Sequence, residues 1–95
     1  MTDAMAEMYV LANGVTVPAA FYNRILNHLQ ERVPQLPPGA SFTLKQICGP
    51  KFWDPLSDGD RRLAGQCATD MVERGLVPLV TAPSRHEYPK RYQRR

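Results

Sequence analysis

An enzyme needs a converging set of nucleophile, base or metal ligands, and this 95-residue chain offers few. His28 and His86 are its two histidines, and Cys48 and Cys67 its two cysteines. No C-x-x-C pair, H-E-x-x-H, G-x-S-x-G or Gly-rich phosphate loop organises them. Asp54, Asp58 and Asp60 lie close enough in sequence to hold a cation, but a helix start accounts for Asp58 and Asp60, whose charges complement the dipole there. These residues point to a chain with no catalytic residues, no metal and no cofactor. The chemistry that stands out is cationic. Residues 85–95 contain Arg85, Lys90, Arg91, Arg94 and Arg95 against Glu87 alone, whereas the preceding residues are balanced, with seven basic and eight acidic side chains. A near-neutral body with a basic end is the footprint of a protein that meets a polyanion, and equally of a solubilising tail.

The elements that would position these cations are separated by Pro and Gly. Met8–Ala12, Asn13-Gly14 and Val15–Val17 read as two short strands about a type I′ turn. A lone strand or an irregular arm fits the same residues. Thr16 is placed to cap a helix with Pro18 in its first turn, and Phe21, Tyr22, Ile25, Leu26, Leu29 and Val33 fall on one arc of it until Pro34. His28 borders that arc. After a Pro-rich loop, Ser41-Phe42 is extended, and Thr43-Leu44-Lys45-Gln46 has the capping-box spacing of a short second helix that Gly49-Pro50 stops. Phe52 and Trp53 read as core plugs. Ser57 caps a third helix that buries Leu63, Ala64, Cys67, Ala68, Met71 and Val72 and ends before Gly75. Both cysteines then sit on buried faces as inert thiols. Leu76–Thr81 and Tyr88–Tyr92 read as strands, confined to edges by Pro78 and Pro89. Tyr88 and Tyr92 share a face with Lys90 between them, which is no aromatic platform for stacking bases.

The chain is expected to form one α+β unit, because so short a length buries only one modest core. The boundaries drawn are a flexible or extended arm over residues 1–14, a single domain over 15–92 and a basic tail over 93–95. No apolar run approaches the roughly 18 residues of a membrane span. Met1–Glu7 has acidic residues and no basic ones, unlike a secretory leader, so a cytoplasmic location is expected.

This order of elements resembles that of small bacterial and phage winged helix-turn-helix proteins. The residues that carry it are Phe42-Thr43-Leu44-Lys45, Trp53, Leu56, Arg61-Arg62-Leu63-Ala64-Gly65 and the hairpin ending at Tyr92. The resemblance implies a winged-helix-like fold of three helices with a C-terminal β-hairpin wing, in a regulatory protein that binds nucleic acid, with double-stranded DNA as the expected form. On that reading Arg62, Gln66 and Thr69 on the exposed face of the third helix meet base edges, with Arg61 at the flank. Lys45, Arg85, Lys90 and Arg91 bind phosphates. Arg94 and Arg95 track the backbone or enter a minor groove. The segment Gly49–Leu56 is longer than the usual helix-turn-helix link. Asp58, Asp60, Asp70 and Glu73 leave the third helix without net positive charge, which suits a second reading. That reading is a phage- or plasmid-type protein-interaction module, an inhibitor of a host protein or a homodimer.

Overall fold

The computed structural model of the chain describes residues 7–82 and 90–95. Among them are four α-helices and two small antiparallel sheets, a mixed α+β fold. Strands β1 (Met8–Val10) and β2 (Thr16–Pro18) pair with Tyr9 opposite Val17. Gly14 N–H donates to Leu11 C=O at 2.9 Å, and Leu11 N–H to Val15 C=O at 2.8 Å. Gly14 has φ 90°, and among the described residues no other residue type has positive φ. The connection is therefore a three-residue loop closed by a glycine bulge, not the type I′ turn expected, which needs positive φ at Asn13 as well. Asn13 instead turns its Oδ1 back to accept from Val15 N–H at 3.0 Å. Leu11 and Val17 are buried, so the arm expected over residues 1–14 is, from Met8 onward, half of a docked ribbon.

Helix α1 (Ala19–Arg32) starts without a side-chain cap. The expected cap, Thr16, is committed to β2, and Pro18 holds the extended conformation that precedes the first turn. Ala19 N–H, one of the helix's orphan donors, finds Glu7 C=O at 3.1 Å. Tyr22, Ile25 and Leu29 line the buried stripe, and Val33 continues it into a 3-10 turn, Val33–Gln35, that Pro34 enforces. Strand β3 (Ser41–Thr43) leads into α2 (Leu44–Cys48). Its capping box is formed: Thr43 Oγ1 accepts from Gln46 N–H at 3.2 Å and Gln46 Oε1 from Thr43 N–H at 2.9 Å. Gly49, at φ 84°, breaks the helix, and a helical turn not expected from the sequence follows, α3 (Pro50–Trp53), with Pro50 presetting its first φ. Four residues are too few to show a helical period, and the described residues form four α-helices where three were expected.

Helix α4 (Asp58–Glu73) is bounded as its sequence requires. Ser57 Oγ accepts from Asp60 N–H at 3.1 Å. At the other end, Leu76 N–H reaches Met71 C=O at 2.9 Å and Gly75 N–H reaches Val72 C=O at 3.1 Å, a Schellman motif with Gly75 at φ 75°. Ala64, Cys67, Ala68 and Met71 join Ile25, Leu29, Ile47 and Val77 in one buried cluster. Leu63, Val72, Phe52 and Trp53, expected to be core, are only partly buried against it. The last strands, β4 (Leu79–Thr81) and β5 (Arg91–Arg94), are shorter than expected, and the second sheet has the order β3-β5-β4. Phe42 faces Tyr92, and Val80 faces Gln93. β5 is thus the middle strand rather than an edge. It begins after Pro89, so its ladder donors are intact, whereas β4 is an edge and Pro78 lies just before it.

One buried acid ties the first sheet to the helices. Asp70, 4% exposed, accepts from Tyr22 Oη at 2.7 Å, from Ala12 N–H at 2.7 Å and from Arg74 Nε at 2.9 Å. Burial pushes its carboxyl up, but these hydrogen bonds and the Arg74 charge outweigh burial and hold it below its ordinary value.

Candidate nucleic-acid interface

The first turn of α2, the turn α3, the outer face of α4 and the start of β5 enclose a groove of about 410 Å³. Leu44, Gly65 and Tyr92 contribute apolar surface, and the half-buried Trp53 ring stands beside them. Trp53 turns one side to the core and another to this groove, which is why it is not fully buried. Lys45, Arg62 and Lys90 stand around the groove, all exposed. They come from three separate segments: Lys45 follows the Thr43 cap, Arg62 lies in the second turn of α4, and Lys90 precedes β5. Gln66 and Thr69 continue the Arg62 face along α4.

A polar relay closes one end. Lys90 Nζ donates to Thr69 Oγ1 at 3.3 Å, and Thr69 Oγ1 lies 3.2 Å from Tyr92 Oη. Burial, with the Glu73 charge adding to it, pushes the Tyr92 hydroxyl up against the opposing effect of the Thr69 hydrogen bond, so the phenol remains protonated at neutral pH. Gln66 Oε1 accepts from Asn13 Nδ2 at 3.4 Å, bringing the tip of the first hairpin close to α4.

No carboxylate lines this groove among the described residues. The acids of α4 lie outside it. Asp58 and Asp60 occupy the exposed first turn, where Asp58 faces Arg61, Asp70 is consumed by Tyr22, Ala12 and Arg74, and Glu73 lies beyond the lining, near enough for its charge to act on Tyr92. The groove is cationic although the helix that supplies its wall has no positive charge overall.

The other expected contacts are distributed differently. Arg61 lines the groove but its guanidinium is engaged: Nη2 donates to Asp54 C=O at 2.9 Å, Nε to Trp53 C=O at 3.4 Å, and Nη1 lies 3.6 Å from Asp58 Oδ1. With its carbon 6.0 Å from the centre of the Trp53 ring, it fastens α3 to α4. Arg94 Nη1 donates to Pro34 C=O at 2.8 Å, tying β5 to the 3-10 turn. Arg91 alternates with Tyr92 along β5 and so points to the opposite face of the sheet. Arg95 is exposed at the far end, its N–H bonded to Pro78 C=O at 2.9 Å. Arg85 lies outside the described residues, as do His86 and Tyr88.

Sequence reading missed the part of the groove that is not charged. Tyr92 and Trp53 are 39 positions apart, and only the β3–β5 pairing brings the tyrosine to the wall that α3 supplies. Gly65 was the available signal: a mid-helix glycine weakens a helix, and here nothing lies within 4 Å of where its Cβ would be.

The remaining reactive types have structural places. His28 Nε2 donates to Cys48 C=O at 2.8 Å, and its ring stacks on Phe52 at 4.1 Å. Burial pushes the Cys48 thiol up to about 12 and, with Asp70 adding to it, the Cys67 thiol up to about 11. No cluster of three or more His, Cys, Asp or Glu side chains that could hold a metal ion occurs among the described residues. None of their helices is long and apolar enough to cross a membrane. No protein-family model, curated protein or solved structure matches the chain.

Proposed function

We propose that this chain binds nucleic acid, in the form of duplex DNA, with α4 as the element presented to the major groove and Lys45 and Lys90 as its flanking phosphate contacts. The observation that carries this reading is the convergence of Lys45, Arg62 and Lys90 from three segments around one groove that has no carboxylate among its described lining. Association with DNA is driven by cations placed against phosphates, and base edges are read by side chains such as Arg and Gln. Arg62, Gln66 and Thr69 lie on one face of α4 for the second task. The winged-helix reading of the fold is supported by the sequence of α1, β3, α2 and α4 followed by a β4–β5 ribbon that folds back beside β3. α3 is an addition to that layout, and it accounts for the long link between α2 and α4.

The test is a salt titration of binding to a labelled random duplex. Two phosphate contacts give a slope of log affinity against log salt of about −2, at roughly −0.9 per contact. Reversing Lys45 and Lys90 to Glu lowers affinity across all sequences and flattens the slope by about two. Absence of binding at low salt refutes the proposal.

A protein-partner reading has its own observation on a different surface. Met8, Val10 and Leu76, respectively 50%, 61% and 40% exposed, border a depression over Tyr22 and Leu26. Exposed apolar side chains grouped in this way mark association surfaces. Sedimentation of the wild type and of a Val10→Asp variant tests it: a concentration-dependent dimer lost in the variant supports self-association, and a monomer at all concentrations opposes it.

A further inference from the structure

We infer that the groove between α4, Trp53 and β5 takes up one unpaired base, so that the preferred target is a duplex carrying a single-stranded overhang rather than a blunt duplex. This rests on the nucleic-acid reading above and narrows it. Along its length a stacked, paired duplex offers phosphates and base edges but no free ring face to fill a concavity of about 410 Å³. A volume of that size lies within the roughly 300–1,000 Å³ of sites that enclose a small organic group. A duplex lying across the cations would leave the half-buried Trp53 ring and the Gly65 backbone facing water. An unstacked base covers them, because every base has an apolar π-face.

Charge complementarity selects the same occupant. A nucleotide joins a flat apolar ring to an anionic phosphate, and the groove joins an apolar floor to Lys45, Arg62 and Lys90. The Lys90–Thr69–Tyr92 relay supplies polar groups at one end of the groove, where a base edge can be met. Gly65 leaves the space over α4 open, with no atom within 4 Å of its Cβ position. The sequence contains no continuous row of aromatic residues, but folding sets the half-buried Trp53 ring beside the buried Tyr92 on one groove, and a single base needs no more than one ring.

Trp53 is the only tryptophan and therefore reports on the groove directly. Three probes are titrated at fixed salt: a short blunt duplex, the same duplex with a thymine overhang, and the same duplex with an overhang of abasic sugar-phosphates. The thymine overhang is expected to bind about ten-fold more tightly than the abasic one, as one stacked base implies, and to quench Trp53 emission saturably. The Gly65→Leu variant fills the groove from a helical position with open space around it, and is expected to bring that ratio to about one. Equal affinity for thymine and abasic overhangs, unchanged Trp53 emission, or a ratio that survives Gly65→Leu overturns the inference and leaves the duplex reading standing. Failure of all three probes to bind overturns both.

Discussion

Replacing Asp70 with alanine removes one acceptor from three segments at once, and the three losses are unequal. Tyr22 lies on a buried ring, so its hydroxyl is left without a partner, a loss of about 1–3 kcal/mol. Ala12 is exposed and its N–H can return to water, so that bond contributes about 1 kcal/mol. The Arg74 side chain is 50% exposed and re-solvates, at a cost of about 0.5 kcal/mol. The total, about 2.5–4.5 kcal/mol, overlaps the roughly 3–5 kcal/mol seen when one partner of a buried charged pair is removed. At about 4–8 °C per kcal/mol for a domain of this size, the melting temperature falls by about 10 °C or more. Urea unfolding at pH 7, followed by circular dichroism on Asp70→Ala, Tyr22→Phe and the double variant, measures each part. The double variant should lose about 1–2 kcal/mol less than the sum of the single variants, because the pair is removed together. A loss below about 1 kcal/mol, or strict additivity, would refute the assignment of Asp70 as the tie between hairpin and helices. The same group sets the acid limit. Its pKa is lowered on folding, so its contribution is complete above about pH 4 and disappears as pH falls through the lower folded value. The gap in stability between wild type and Asp70→Asn should therefore close on acidification below about pH 4.

Thiol reactivity follows from burial. Cys48 and Cys67, raised to about 12 and about 11, should be silent towards a disulfide reagent at pH 8 and titrate as two thiols once the chain is unfolded; a fast-reacting thiol in the native protein would contradict their placement. Ser57→Ala removes the cap that holds Asp60 N–H and should lower unfolding free energy by about 1 kcal/mol, with loss of helical signal but no effect on Tyr22 or Asp70. A neutral Ser57→Ala would mean that Asp58 and Asp60 suffice for the first turn of α4.

Local signals in the sequence were legible where a few neighbouring residues decide the outcome. Ser57, Thr43 with Gln46, and Gly75 are each bonded as their spacing requires, because a cap or a Schellman turn is settled within one helical turn. Thr16 failed as a cap because a tertiary demand, pairing with Val10 in the first sheet, took its backbone. Asn13-Gly14 did mark a turn, but its type depended on how β1 and β2 twist together. α3 was invisible because four residues carry no period. Of the site, the cations at Lys45, Arg62 and Lys90 could be read as charges, whereas their meeting around Trp53 and Tyr92 could not. Arg61 and Arg94 look as free as Arg62 in sequence, but each ends on a backbone carbonyl, a use that only the packed chain reveals.

The strand that unites the second sheet comes last among the described elements, and that has a kinetic consequence. β3 and β4 do not touch each other; each waits for β5, and Phe42 must find Tyr92 across 50 positions of chain. Contacts so remote in sequence close late, because the intervening loop must first be drawn in. The α1–α4 pair spans nearly as much chain, 48 positions from Tyr22 to Asp70, but its two helices are built from local contacts and so form ahead of the sheet, which Tyr92 completes. A destabilising change in β5 such as Gln93→Gly should therefore speed unfolding far more than it slows folding, the opposite of a change at Ile25, and a chevron plot for each would show it.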